Sequence, residues 1–201
     1  MDVGKEVDES MQVNHLGHFL LLSLLKECIR DRVVFVGSSL HRSTSPAFLN
    51  TLSSSQVAKE IDPWKPMQAY ARSKLLAALC LQRWQDMFDQ KAQRTGEKAV
   101  EVSIVSPGFV PETGLGRRRG GVLGQFFMKW VMYYAPFARS VEQAGQSVGS
   151  VALNTNSKEM KAVYLGWNGE EEKLAESCYD EESRKVAWNW SCDVTGAEER
   201  I

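Results

Sequence analysis

Long apolar runs, closely spaced cysteines and an excess of one charge are all missing from this chain, and each absence removes a class of function. No segment reaches the ~18 uninterrupted apolar residues of a membrane-spanning helix. The nearest are residues 16–25, which are short and read as a buried helix, and 122–137, which Gln125 and Lys129 interrupt. The four cysteines, Cys28, Cys80, Cys178 and Cys192, stand far apart without a Cys-x-x-Cys pair. That argues against structural zinc and for reduced thiols in a reducing compartment. His15, His18 and His41 are too scattered to assemble a metal site, so no metal is expected. A formal net charge of −1 gives no electrostatic case for nucleic acid or an anionic membrane. Asn189-Trp190-Ser191 spells a glycosylation sequon, but with no signal-peptide pattern beside it the match is expected to be chance.

What is present is an ordinary globular composition. The 201 residues are 43% hydrophobic and 24% charged, enough for one domain over residues 1–201 with a sizeable core. Apolar residues recur at helical spacing over residues 7–30 and end in a charged cluster. Arg32-Val33-Val34-Phe35-Val36-Gly37 reads as a fully buried strand of a parallel sheet. A Ser/Thr-rich loop is expected up to Pro66, then one long amphipathic helix over 66–93, with Pro66 in its first turn. Residues 100–105 form a second buried strand, closed by Ser106-Pro107-Gly108. A glycine-rich loop, the aromatic stretch 122–137, a helix over 141–154, a strand over 162–165 and two short polar helical pieces complete the chain. Strands alternating with helices predict a parallel sheet covered on both faces. Only about three strands are countable, which suggests the second half of a doubly wound fold.

The chemistry concentrates on Tyr70 and Lys74, which share a helical face at i, i+4 spacing. A phenol titrates near pH ~10, and a nearby ammonium lowers that value. A tyrosine usable at neutrality needs roughly 4 kcal/mol of such help. The first strand delivers Ser38 and Ser39 to its carboxyl end, where open α/β sheets place their sites. Asn14 is a poor helix former in mid-helix and marks a local break. Pro107-Gly108 ends the next strand at the same sheet edge. Asn14, Ser38, Tyr70 with Lys74, and Pro107-Gly108 are therefore expected along one rim.

In these stretches the chain resembles the catalytic, C-terminal part of the short-chain dehydrogenase/reductase family, in its branch of retinol dehydrogenases and the WW-domain-containing oxidoreductase. The resemblance is carried by Gln12-Val13-Asn14-His15-Leu16-Gly17-His18-Phe19, Arg32 to His41, Tyr70-Ala71-Arg72-Ser73-Lys74 and Ser106-Pro107-Gly108-Phe109-Val110. The tail stretches Tyr179-Asp180-Glu181-Glu182 and Trp188-Asn189-Trp190-Ser191 share it. It implies an α/β, Rossmann-like doubly wound parallel sheet whose N-terminal nucleotide-binding half is missing. The glycine-rich turn that seats the pyrophosphate is not found before Asn14.

The implied activity is an NAD(P)-dependent interconversion of alcohol and carbonyl on a lipophilic small molecule. The implied cofactor is NADP or NAD, with NADP slightly ahead. By the resemblance, Tyr70 is the general acid/base, Lys74 lowers its pKa and holds the nicotinamide ribose, and Ser38 (with Ser39 as fallback) binds the substrate oxygen. Asn14 positions a relay water, and Pro107, Gly108 and Val110 shape the nicotinamide side of the cleft. A threonine contact to the nicotinamide falls on Thr113, one step later than in the family, where Glu112 stands. The loop Gly114-Leu115-Gly116-Arg117-Arg118-Arg119-Gly120-Gly121 reads as a solvated loop before a phosphate site, and His41 as a rim residue before a substrate contact. The aromatic stretch caps an apolar pocket or lies on a membrane surface, the first being preferred. A cytoplasmic location is expected, with peripheral membrane contact and a homodimer as its variants. The alternative function is a truncated, non-catalytic fragment acting through protein association. A half-sheet of this kind is expected to expose an unpaired edge and apolar faces.

Overall fold

The computed structural model describes residues 7–52, 66–111, 138–153 and 159–197. Its centre is a three-stranded parallel sheet in the order β1 (Arg32–Val36), β2 (Glu101–Val105), β3 (Val163–Leu165). Arg32 stands opposite Glu101 and Val36 opposite Val105, while Ser103 stands opposite Val163 and Val105 opposite Leu165. β-Branched runs make these strands, and the two-residue side-chain period sorts them onto two cores. Val33, Phe35, Val102, Ile104 and Tyr164 face the larger core. Val34, Val105, Val163 and Leu165 face a smaller one, closed by Val148 and Val151 of a helix over Val141–Leu153. The parallel α/β reading of the sequence therefore holds, with helices on both faces.

β2 is buried throughout, as a central parallel strand should be, but β1 is not. Among the described residues β1 pairs with β2 alone, and Val36 is 49% exposed. The fully buried first strand expected from its composition is thus half-buried, because it lies at an edge.

The helices, in chain order, are α1 (Glu9–Met11), α2 (Gly17–Leu25), α3 (Leu49–Leu52), α4 (Pro66–Leu79), α5 (Leu81–Thr95), α6 (Val141–Leu153) and α7 (Glu181–Thr195). Asp8 caps α1 by accepting from the Ser10 amide. Between α1 and α2 the chain makes a π-helical turn, Gln12–Leu16, so the local break expected at Asn14 is an inserted residue in a continuous helix. The expected single helix over 66–93 is two helices that meet at Cys80. Gly96, at φ 72°, ends α5 in the left-handed conformation that glycine adopts without penalty.

The Ser/Thr-rich stretch after β1 is more structured than a loop. Ser38 and Ser45 cap two 3-10 turns, Ser39–Ser43 and Pro46–Phe48, and α3 follows. Phe48, Leu49 and Leu52 are buried and anchor the segment. The tail also departs from expectation. α7 is fifteen residues long, its charged first turn leading into a buried face of Ala187, Trp188, Trp190, Ser191 and Cys192. Asp180 caps it by accepting from the Ser183 amide.

His15 is wholly buried where the π-turn meets α7. Ser191 gives its hydroxyl proton to the Ala187 carbonyl at 2.7 Å, so its oxygen accepts from His15 Nε2 at 2.7 Å. Burial lowers the His15 pKa from 6.5 to about 3. The unfolded chain thus binds a proton here that the folded chain refuses, and stability, complete above pH ~6.5, falls as the pH drops below it. Urea unfolding at pH 7 and pH 5 is expected to show a loss of about 2 kcal/mol from this group. His15→Gln keeps the donor to Ser191 and should flatten the slope. An unchanged slope would remove His15 as its cause.

Among the described residues, one helix face is exposed. Val13, Leu20, Leu21, Leu24 and Leu25 are exposed along the π-turn and α2, with Leu24 at 72%. Among the described residues, no helix is long and apolar enough to cross a membrane.

Candidate active site

The carboxyl ends of β1 and β2 lie side by side, tied by the Gly37 amide donating to the Val105 carbonyl at 2.7 Å. A Cβ at Gly37 would stand 2.4 Å from Ile104 Cγ2, so only glycine fits before Ser38. Ser38 then leaves the sheet in extended conformation and caps the following 3-10 turn, its Oγ accepting from the Leu40 amide at 3.4 Å.

Tyr70 lies in the second turn of α4 and faces Ser38. Burial pushes its phenol above the ordinary value of 10, while a hydrogen bond with the Ser38 side chain pulls the other way. Lys74 donates to the Val36 carbonyl at 2.9 Å, and its ammonium stands 5.6 Å from the centre of the Tyr70 ring. Burial depresses the lysine. The expected lowering of the Tyr70 pKa by Lys74 is therefore not found in the free protein. Desolvation dominates, and the ammonium is turned toward a backbone carbonyl. The resting phenol is an acid at neutral pH.

Asn14 reaches the same helix by a different route from the one expected. Its Nδ2 donates to Ser73 Oγ at 3.2 Å, and Ser73 in turn donates to the Tyr70 carbonyl at 2.7 Å. The π-turn aims the side chain at α4, while the Asn14 carbonyl lies 3.2 Å from His18 Nδ1. Ser73 is fully buried. Its position between Tyr70 and Lys74 was the available clue to a structural role.

Pro107 and Gly108 sit just past the end of β2, at the same sheet edge. Gly108 has φ 82°, and a Cβ there would stand 3.0 Å from Arg139 Cγ. Arg139 stacks over Trp167, its guanidinium carbon 3.9 Å from the ring centre. The atoms nearest a Cβ at Gly108 belong to Arg139 and Trp167. Val110 is buried. Ser39 is exposed within the 3-10 turn, so Ser38 is the serine brought to Tyr70. Thr113, with Glu112, the glycine-arginine loop and the aromatic stretch 122–137, lies outside the described residues.

His41, read as a rim residue, is 1% exposed. It packs on Tyr164 with ring centres 4.7 Å apart and bonds to backbone on both sides. In the charged run from Glu170 to Lys173, Glu172 pairs with Arg42. Among the described residues no group of three His, Cys, Asp or Glu side chains is arranged to hold a metal.

No family profile matches the chain. Among curated proteins it is similar to polyprenol dehydrogenase from Mus musculus, 28% identical over 200 residues, covering 94% of this chain and 54% of that protein. It is also similar to the chloroplastic protochlorophyllide reductase from Marchantia paleacea, 26% identical over 216 residues, covering 93% of this chain and 45% of that protein. The chain spans about half the length of the curated relatives it matches. A solved structure of an uncharacterised protein from Mycobacterium paratuberculosis superposes with a TM-score of 0.58 at 19% identity, over 97% of this chain and 61% of that one, a likeness of fold.

Proposed function

This chain is a relative of the short-chain dehydrogenases/reductases, and from that premise we propose that it carries the acid/base centre of a nicotinamide-dependent oxidoreductase acting on an alcohol or carbonyl. The single observation that carries the reading is the meeting of Tyr70 with Ser38 at the carboxyl edge of the sheet, Lys74 beside them. Tyr70 gives its proton to a carbonyl oxygen or takes one from an alcohol, and Ser38 holds that oxygen by its hydroxyl. Residues 1–201 would form a single, partial domain of the short-chain dehydrogenase/reductase fold, its catalytic half.

The residues present suit a nicotinamide nucleoside. Among the described residues the Lys74 ammonium has one acceptor, the Val36 carbonyl, which leaves two of its three protons for ribose hydroxyls. Pro107, Gly108 and Val110 would form the neighbouring wall. Bound there, the nicotinamide would supply or accept the hydride. NADP is placed slightly ahead of NAD. Asn14 braces the Tyr70 turn through Ser73 and so holds the phenol in place. The names of the relatives, a polyprenol dehydrogenase and protochlorophyllide reductases, support a lipophilic substrate.

Titration with NADPH and NADH, followed by tryptophan fluorescence, tests the reading. Saturable binding below about 1 mM, the upper end of common KM values, is expected. Absence of binding by either nucleotide would overturn it. A second reading rests on the exposed stripe Val13, Leu20, Leu21, Leu24 and Leu25, which suits association with another protein surface. It gains if the chain binds neither nucleotide yet self-associates or co-purifies stoichiometrically.

A further inference from the structure

His41 lies between two backbone groups whose polarity is fixed. Its Nδ1 is 2.8 Å from the Ser38 carbonyl, and its Nε2 is 3.2 Å from the Ala175 amide nitrogen. A carbonyl only accepts and an amide N–H only donates, so the ring must carry its proton on Nδ1 and keep Nε2 bare. The ring is buried against Tyr164, which fixes its plane. Beside it, Arg42 donates from Nε to the Lys173 carbonyl at 2.8 Å and pairs with Glu172. The turn that carries Ser38 is thus fastened at two adjacent residues to the segment running from Glu172 to Ala175.

We infer that His41 is a positioning residue for Ser38, a neutral strut whose Nδ1–H holds the Ser38 carbonyl while its Nε2 is held by the amide of Ala175. The strut rests on the functional reading above, because Ser38 matters to turnover only if Tyr70 and Ser38 share a substrate oxygen. The geometry says why a histidine is used. A single rigid ring reaches both partners, donating on one side and accepting on the other. Burial lowers its pKa and so maintains the bare nitrogen at neutral pH, in agreement with the geometry.

Two amide variants separate the two bonds. His41→Asn places its amide near the Nδ1 position and can still donate to Ser38. His41→Gln places its amide near the Nε2 position and can accept from Ala175 while leaving the Ser38 carbonyl without its side-chain donor. With turnover as readout, His41→Gln is expected to lower kcat by roughly 10- to 100-fold, the scale of a small misplacement, with KM within about twofold. His41→Asn should stay near wild type, although both variants lose ring packing and soften thermally by similar amounts.

A second readout needs no activity. In the chain labelled with ¹³C-tyrosine, Tyr70 should titrate at higher pH in His41→Gln than in wild type or His41→Asn, because a displaced Ser38 no longer favours the phenolate. That upward movement supports the strut even if the wild-type chain turns over no nicotinamide substrate, in which case only the functional reading falls. Equal kcat losses in the two variants, or a Tyr70 titration indifferent to both, would overturn it.

Discussion

Tyr70→Phe is expected to reduce turnover by roughly 10²- to 10⁴-fold, the usual contribution of a positioned general acid or base, while leaving nucleotide affinity within about twofold. The ring stays in place, its neighbours keep their packing, and only the proton is lost. The free protein adds a directional expectation. Because burial raises the Tyr70 phenol above its ordinary value, the protonated form prevails throughout the neutral range. Carbonyl reduction, which needs the proton, should be nearly independent of pH from 6 to 9. Alcohol oxidation, which needs the phenolate, should climb up to tenfold per pH unit over the same range, until bound nucleotide or Lys74 shifts the titration. The comparison requires initial rates in both directions for wild type and Tyr70→Phe. A variant retaining more than a tenth of wild-type kcat would leave the phenol outside the chemistry.

Trp188→Ala should cost about 3–5 kcal/mol of folding stability, enough to unfold a marginal domain. The indole is fully buried where α2, α5 and α7 meet. Phe19 stands edge-on at 5.0 Å and Trp84 at 4.8 Å, both in T-shaped arrangements, and the Arg83 guanidinium lies over the ring at 5.8 Å. Truncation to Ala removes these contacts together and leaves a cavity that three rigid helices cannot close. Urea denaturation monitored by far-ultraviolet circular dichroism gives the difference. A loss below about 1.5 kcal/mol would mean that this core relaxes around the void, and the tail would then be a lesser part of the fold than its burial implies.

What could be read without the structure follows from range. Val33-Val34-Phe35-Val36 and the run over 101–105 declare strands locally, and Tyr70, Lys74 and Ser38 belong to short motifs whose spacing carries their meaning. Asn14 could be picked out as a misfit in a helix, but the π-turn that aims it at Ser73 depends on packing against α4. The break at Cys80 is likewise invisible, since helical periodicity continues through it. In sequence, the start of α7 looks like a short polar piece because Glu181, Glu182, Arg184 and Lys185 dominate it, while its buried face emerges only in contact with Phe19 and Trp84. His41 shows the limit most clearly. Its partners are Ser38, three residues away, and Ala175, 134 residues away, and only the folded chain brings the second to it. The state of Tyr70 is hidden from the sequence for a related reason. Spacing places Lys74 beside it, but desolvation and the pull of the Val36 carbonyl are properties of the burial that follows.

The most direct test is hydride transfer itself. Wild-type chain mixed with NADPH or NADH deuterated at the transferable position and a lipophilic ketone should yield alcohol carrying deuterium on the carbinol carbon, detected by mass spectrometry, and Tyr70→Phe should yield almost none in the same time. Label appearing at equal rates in both proteins, or in neither despite saturated nucleotide binding, would contradict the assignment of Tyr70 and Ser38 as an oxidoreductase centre.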